Sequence, residues 1–212
     1  MTEMTDGLYQ QKYVAFLDML GFSNLVQQSG SDPSAHARVL EAIERLKETA
    51  CDNPKTGMIS TYFSDCIVLS CDRSPRGLND MLRSLTMIAE NLLVVDVLVR
   101  GGLAMGAMHH DRQLMFGPAM LDAYRMESKE VGHPTVLIAP EVQADIKAAG
   151  LEPYMVRDDG EAEHHYLHYL INFALYDPTP SPGRLILDEP ARLVRHYLAR
   201  RIAYCKDRKS VV

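Results

Sequence analysis

Tyr13-Val-Ala-Phe-Leu-Asp-Met-Leu-Gly-Phe22 is the stretch on which the reading of this chain turns. Residues 13–17 are an unbroken apolar run, the pattern of a buried strand. Asp18 ends the run. A carboxylate there is badly placed for a core and well placed at the edge of a sheet. Gly21 follows, and a helical stretch begins at about Ser23.

Downstream, Ala37, Leu40, Ala42, Ile43 and Leu46 give a second helix, over residues 34–49, an apolar face, with Asp32 or Ser31 as its cap. Residues 58–63 and 66–70, joined by Ser64-Asp65, read as a hairpin. Leu78, Leu82, Leu85, Ala89 and Leu92 recur at helical spacing over residues 78–93. Residues 97–108 form a strand containing Gly101, Gly102 and Gly106, and such glycines signal a bulge or a close approach by ligand or backbone. His109-His-Asp-Arg112 reads as a solvated hairpin tip before a returning strand at 113–116. Gly117-Pro118 opens a helix over 119–130. A short strand at 136–139, a helix at 140–149 and a hairpin from 154–156 and 165–170 follow. Asp177-Pro-Thr-Pro-Ser-Pro182 is a stiff linker, and a last amphipathic helix covers 189–206. Hairpins alternating with helices predict an α+β class, a mostly antiparallel sheet packed with helices. Residues 1–150 are expected to form the core and 151–212 a hairpin-and-helix extension of the same domain.

The 212 residues carry a net charge of −6, which disfavours long nucleic acid as a partner. The charge is uneven: after position 183 there are eight basic and three acidic residues, and this helix face is read as solvated. The longest apolar run, 92–99, contains Asp96 and is too short to cross a bilayer, and no signal peptide is visible. Cys51, Cys66, Cys71 and Cys205 form no CxxC pair. A soluble, cytoplasmic protein with reduced thiols and no membrane partner is expected.

Asp18 and Asp65 are lone carboxylates at strand ends about fifty residues apart. Such a pair suits a two-metal site for Mg2+ or Mn2+ against a nucleoside triphosphate. Simple capping and turn roles are the alternatives.

Four segments together resemble class III nucleotidyl cyclases, in the family's order, over about residues 12–140. They are Phe16-Leu-Asp-Met-Leu-Gly-Phe22, Phe63-Ser-Asp65 with its following strand, Arg100-Gly-Gly-Leu-Ala-Met-Gly106, and Phe116-Gly-Pro-Ala-Met-Leu-Asp-Ala-Tyr-Arg-Met-Glu-Ser128. Within the family the chain is most similar to the small stand-alone pyrimidine cyclases of the bacterial Pycsar anti-phage system. The resemblance implies a ferredoxin-like, palm-like sandwich. It implies conversion of UTP, or CTP, to cyclic UMP or cyclic CMP, a homodimer with active sites shared across the interface, and a separate effector activated by the cyclic nucleotide. By the same resemblance two Mg2+ or Mn2+ ions per site are held by Asp18, Asp65 and the Met19 carbonyl. The amides of Leu20, Gly21 and Phe22, with Arg100, meet the phosphates. Arg125, from the second chain, steadies the transition state.

Two positions depart from the family. Its transition-state Asn aligns with Leu121, which donates no hydrogen bond; Asp122 is adjacent. The base-reading Lys of purine cyclases aligns with Thr61, so Thr61 and Tyr62 are the candidates for holding a smaller pyrimidine. In an unbroken strand Thr61, Phe63 and Asp65 share one face and Tyr62 the other; a local bulge would reverse this. Leu121 also leaves room for another class of function: a degenerate cyclase-homology domain that binds nucleotide or regulates a partner without turnover.

Overall fold

The computed structural model describes residues 9–157 and 164–169. The predicted linker and final helix, and most of the predicted extension, lie outside the described residues. A sheet of eight strands forms the frame. Seven run in the order β2(Ile59–Phe63), β3(Cys66–Asp72), β1(Gln10–Leu20), β4(Leu98–His110), β6(Val136–Ile138), β8(His165–Leu167) and β7(Met155–Arg157). The short β5(Met115–Phe116) pairs with β4. Pairing is antiparallel except between β4 and β6. Five helices pack on it: α1(Phe22–Ser29), α2(Pro33–Thr49), α3(Pro75–Val94), α4(Pro118–Arg125) and α5(Pro140–Ala148). The α+β expectation holds. No described helix is long and apolar enough to cross a membrane.

Strand alternation divides the side chains of β1 between two faces. Tyr13 faces the side of α5, where its hydroxyl donates to Asp145 at 2.8 Å, and the same face carries α3, through Cys71 on β3 and the Gly77 carbonyl. Phe16 and Asp18 face the opposite side, where α4 lies and Tyr124 meets Phe16 edge-on at 5.2 Å. Leu17, Leu69, Leu82, Leu92 and Leu103 lie fully buried in the core. Of the two candidate caps for α2, Asp32 is the one, accepting from the Ser34 amide at 2.8 Å.

Three expectations change. β1 does not stop at Asp18: β4 pairs with Met19 and Leu20 as well, so Asp18 sits within a central strand rather than at a sheet edge. The predicted tip at 109–112 is displaced, because Asp111 caps the amides of Gln113 and Leu114 and closes the turn there; His110 stays in β4 and is buried. The helix predicted over 119–130 changes pitch, opening into a wider π turn at Met126–Glu130.

The glycines of β4 allow close approach of backbone. A Cβ on Gly102 would meet the Ala123 carbonyl of α4 at 2.6 Å and Met126 Cβ at 2.7 Å. Gly102→Ala is therefore expected to cost about 1–3 kcal/mol by overpacking. Thermal denaturation should show a midpoint several degrees lower, while Gly30→Ala, at an ordinary 3.6 Å contact, stays near the parent.

Candidate active site

The site is assembled around Asp18 by sheet register. On one side Asp18 pairs with Cys66 of β3, on the other with Arg100 of β4, so all three side chains emerge on the α4 face. The two-residue turn Ser64-Asp65 returns Asp65 to the same place, with Ser64 at φ 56° in the left-handed region. The Met19 amide donates to the Asp65 carbonyl at 2.8 Å and ties the turn to β1. Ligating atoms of Asp18, Asp65 and Cys66 all lie within 4.8 Å of one another.

The two carboxylates differ electrostatically. Ser23, in the first turn of α1, donates to Asp65 at 2.7 Å and holds its carboxyl below the usual range. Burial pushes Asp18 up to about 6; Glu127 and Asp65 add to this and Arg100 opposes it. Burial and the neighbouring carboxylates push the Cys66 thiol up to about 12, so it stays protonated at neutral pH. What remains for a cation is two hard oxygen donors, which fits Mg2+ or Mn2+ rather than a thiophilic metal.

Arg100 is the buried cation of the site. Its guanidinium reaches Asp18 at 3.3 Å, and its Nε donates to Glu127 at 2.6 Å. Glu127 is 4% exposed, a buried carboxylate that no spacing argument assigned a role. Ser23 also escaped notice, because a serine in a first helical turn is ordinary. Gly21 precedes α1 at φ 77° with open space around it, so the backbone conformation and not crowding selects glycine. No side chain caps this helix start and no acidic residue occupies its first turn.

Three predicted site residues stand apart from the pair. Arg125, on α4, forms ion pairs with Asp122 at 3.3 Å and Glu130 at 3.6 Å, and its side chain is 58% exposed. It borders a cavity of about 400 Å3, together with Glu141, Gln143 and His164, that contains neither Asp18 nor Asp65. Thr61 lies on the Asp18 face, but its hydroxyl is engaged by His110 at 2.9 Å. Tyr62 lies on the opposite face and its hydroxyl donates to the Ala50 carbonyl. Leu121 is 69% exposed on α4.

No protein-family model and no curated protein matches the sequence. Solved structures do. The monomeric guanylyl cyclase domain of the RhoGC fusion protein from the aquatic fungus Blastocladiella emersonii matches with a TM-score of 0.54 at 17% identity, over 76% of this chain and 95% of that one. The fold is that of a class III nucleotidyl cyclase domain. An adenylate/guanylate cyclase/hydrolase from Silicibacter pomeroyi matches at a TM-score of 0.47 and 13% identity, over 76% of this chain and 96% of that one. In this cyclase fold Asp18 and Asp65 stand beside the start of α1, and Arg100 and Glu127 close the site from β4 and the π turn.

Proposed function

We propose that the chain is a nucleotidyl cyclase acting on UTP or CTP, forming the 3′,5′-cyclic monophosphate and pyrophosphate. The observation that carries this reading is the convergence of Asp18 and Asp65 beside an uncapped helix start. Asp18, Asp65 and the Met19 carbonyl hold two divalent cations. Bound there, Mg2+ or Mn2+ acidifies the ribose 3′-hydroxyl and offsets charge on the triphosphate. The amides of Leu20, Gly21 and Phe22 bind phosphate oxygens at the positive end of α1. Arg100 contributes positive charge beside them, held in place by Glu127. The 3′-oxygen bonds to the α-phosphorus, the bond to the β-phosphate oxygen breaks, and the hydroxyl proton leaves to solvent. The protein's share is positioning and charge stabilisation.

Arg125 would neutralise charge at the α-phosphate from a second copy of the chain, since its own ion pairs lie within α4 and the π turn. Exposed Phe63 (75%) and Leu121 suit burial between two such copies. Support for a pyrimidine is the resemblance and Thr61 at the position of the purine-reading Lys; Tyr62, expected as a second base contact, is on the other face of the sheet with its hydroxyl on the Ala50 carbonyl and takes no part. The matched fungal domain is named as a guanylyl cyclase, so a purine product is the competing outcome. On the pyrimidine reading the cyclic nucleotide is a second messenger in anti-phage defence, read by a separate effector protein. The exposed Leu121 in place of a hydrogen-bond donor favours the second reading, a nucleotide-binding domain without turnover.

Incubation with each of the four NTPs plus Mg2+ or Mn2+, with products identified by mass, tests the proposal. Cyclic UMP or CMP is expected, and its loss in Asp65→Ala and in Arg125→Ala. Mixing those two inactive proteins is expected to restore up to about a quarter of the activity through one intact composite site, by the statistics of subunit exchange across a two-fold. Cyclic GMP or AMP as the main product would overturn the pyrimidine assignment. Tight nucleotide binding with no product would establish the second reading.

A further inference from the structure

His110 is 5% exposed and lies between two hydroxyls. Its Nδ1 is 2.9 Å from Ser70 Oγ on β3, and its Nε2 is 2.9 Å from Thr61 Oγ1 on β2. A neutral imidazole has one N–H and one bare nitrogen, so the two bonds must run in the same sense. Burial, with Lys12 and His109 adding to it against Asp52 and Asp111, pulls the His110 pKa down to about 4 and keeps the ring neutral.

Ser70 decides the sense. Its residue is completely buried, and among the described residues His110 is the one side-chain hydrogen-bond partner of its hydroxyl. Were Ser70 to accept from Nδ1–H, its own hydrogen would be buried without an acceptor, which is costly. Ser70 therefore donates to Nδ1. The ring proton then sits on Nε2 and is donated to Thr61 Oγ1. The Thr61 hydroxyl hydrogen has no acceptor within the described chain, and Thr61 is half-buried on the Asp18 face.

We infer that Ser70 and His110 form a relay that fixes the Thr61 hydroxyl as a hydrogen-bond donor to the substrate base. The site then selects a base with a carbonyl over one with an amino group at the same position: uracil over cytosine, and in a purine guanine over adenine. This rests on Thr61 reading the base, as proposed above. His110 and Ser70 are positioning residues, because neither touches the substrate.

Two readouts test the relay. Nitrogen-15 spectra of the histidine rings are expected to show His110 as the Nε2–H tautomer from pH 5.5 to 8. Relative kcat/KM is expected to favour UTP over CTP by about tenfold, the scale of one hydrogen bond. Ser70→Ala, which frees the tautomer, and Thr61→Val, which removes the hydroxyl, should both narrow the ratio to within about threefold. An Nδ1–H tautomer, a wild-type preference for CTP, or an unchanged ratio in folded Ser70→Ala would overturn the inference. Should Ser70→Ala fail to fold, Thr61→Val carries the kinetic comparison. Preference for GTP over ATP would remove the pyrimidine reading and leave the relay intact. If no triphosphate is cyclised, the cyclase reading falls, and the tautomer with calorimetric binding of UTP against CTP in Ca2+ still decides the relay.

Discussion

Asp18→Asn is expected to make the protein more stable in EDTA and, at the same time, to remove its activity. In the folded chain the Asp18 carboxyl is raised to about 6 from an ordinary 3.8, with burial first, then Glu127 and Asp65, outweighing Arg100. A raised acid takes up its proton in the folded state before the unfolded one. Its contribution to stability is therefore fully present below about pH 4 and is lost as pH rises through about 6. At pH 7.5 the ionised group costs about 2–3 kcal/mol, taking 1.36 kcal/mol per unit. Asparagine keeps the shape without the charge, so a melting midpoint about 5–10 °C higher is expected. The same change takes away a cation ligand. Mg2+ or Mn2+ should raise the midpoint of the parent and leave that of Asp18→Asn unmoved, and turnover should fall by about a thousandfold or more, the several kcal/mol that metal-ion stabilisation supplies. Asp65→Asn is expected to be equally inactive without being stabilised, because the Ser23 hydrogen bond favours the Asp65 anion. Metal-dependent turnover in Asp18→Asn, or a lower midpoint in EDTA, would overturn this account. At sub-saturating Mg2+ or Mn2+ the parent's activity should also fall below about pH 6, as the proton on Asp18 competes with the cation.

Glu127→Ala is expected to cost about 3 kcal/mol, the scale for breaking a buried ion pair. Arg100 is only 15% exposed as a side chain, and Glu127 is its nearest carboxylate. Without Glu127 the guanidinium keeps Asp18 alone, at 3.3 Å. Two consequences separate a positioning role from a purely structural one. In Glu127→Gln the side-chain oxygen still accepts from Arg100 Nε, so stability should be largely kept. Removing that negative charge should also lower the Asp18 pKa, because Glu127 is the second cause of its rise. The acid limb of the pH–rate profile is thus expected to move to lower pH in Glu127→Gln. A melting midpoint unchanged in Glu127→Ala, or an acid limb unmoved in Glu127→Gln, would show that the pair does neither job.

The order of strands and helices through residue 150 follows closely from apolar periodicity, because a buried strand and a one-sided helix leave different spacings in the chain. Asp18 and Asp65 were also legible, one as a carboxylate ending an apolar run and the other in a hairpin turn, while Arg100 was singled out only by the family resemblance. Glu127 was not. It lies in a helical segment where glutamate is usually solvated, and only the π turn and the Gly102 contact bring it under α4 to Arg100. His110 looked like part of a solvated turn, because adjacent histidines carry no sign of which one is buried.

What the sequence determined by itself was the α+β class, the element order and the identity of the carboxylate pair, all properties of local pattern. What only the tertiary structure decided was which charges meet. Sheet register places Cys66 and Arg100 on either side of Asp18, the hairpin turn carries Asp65 to it, and α4 keeps Arg125 on separate partners. Register and helix packing are set by long-range burial, and a one-residue slip would send every one of these side chains to the other face of the sheet.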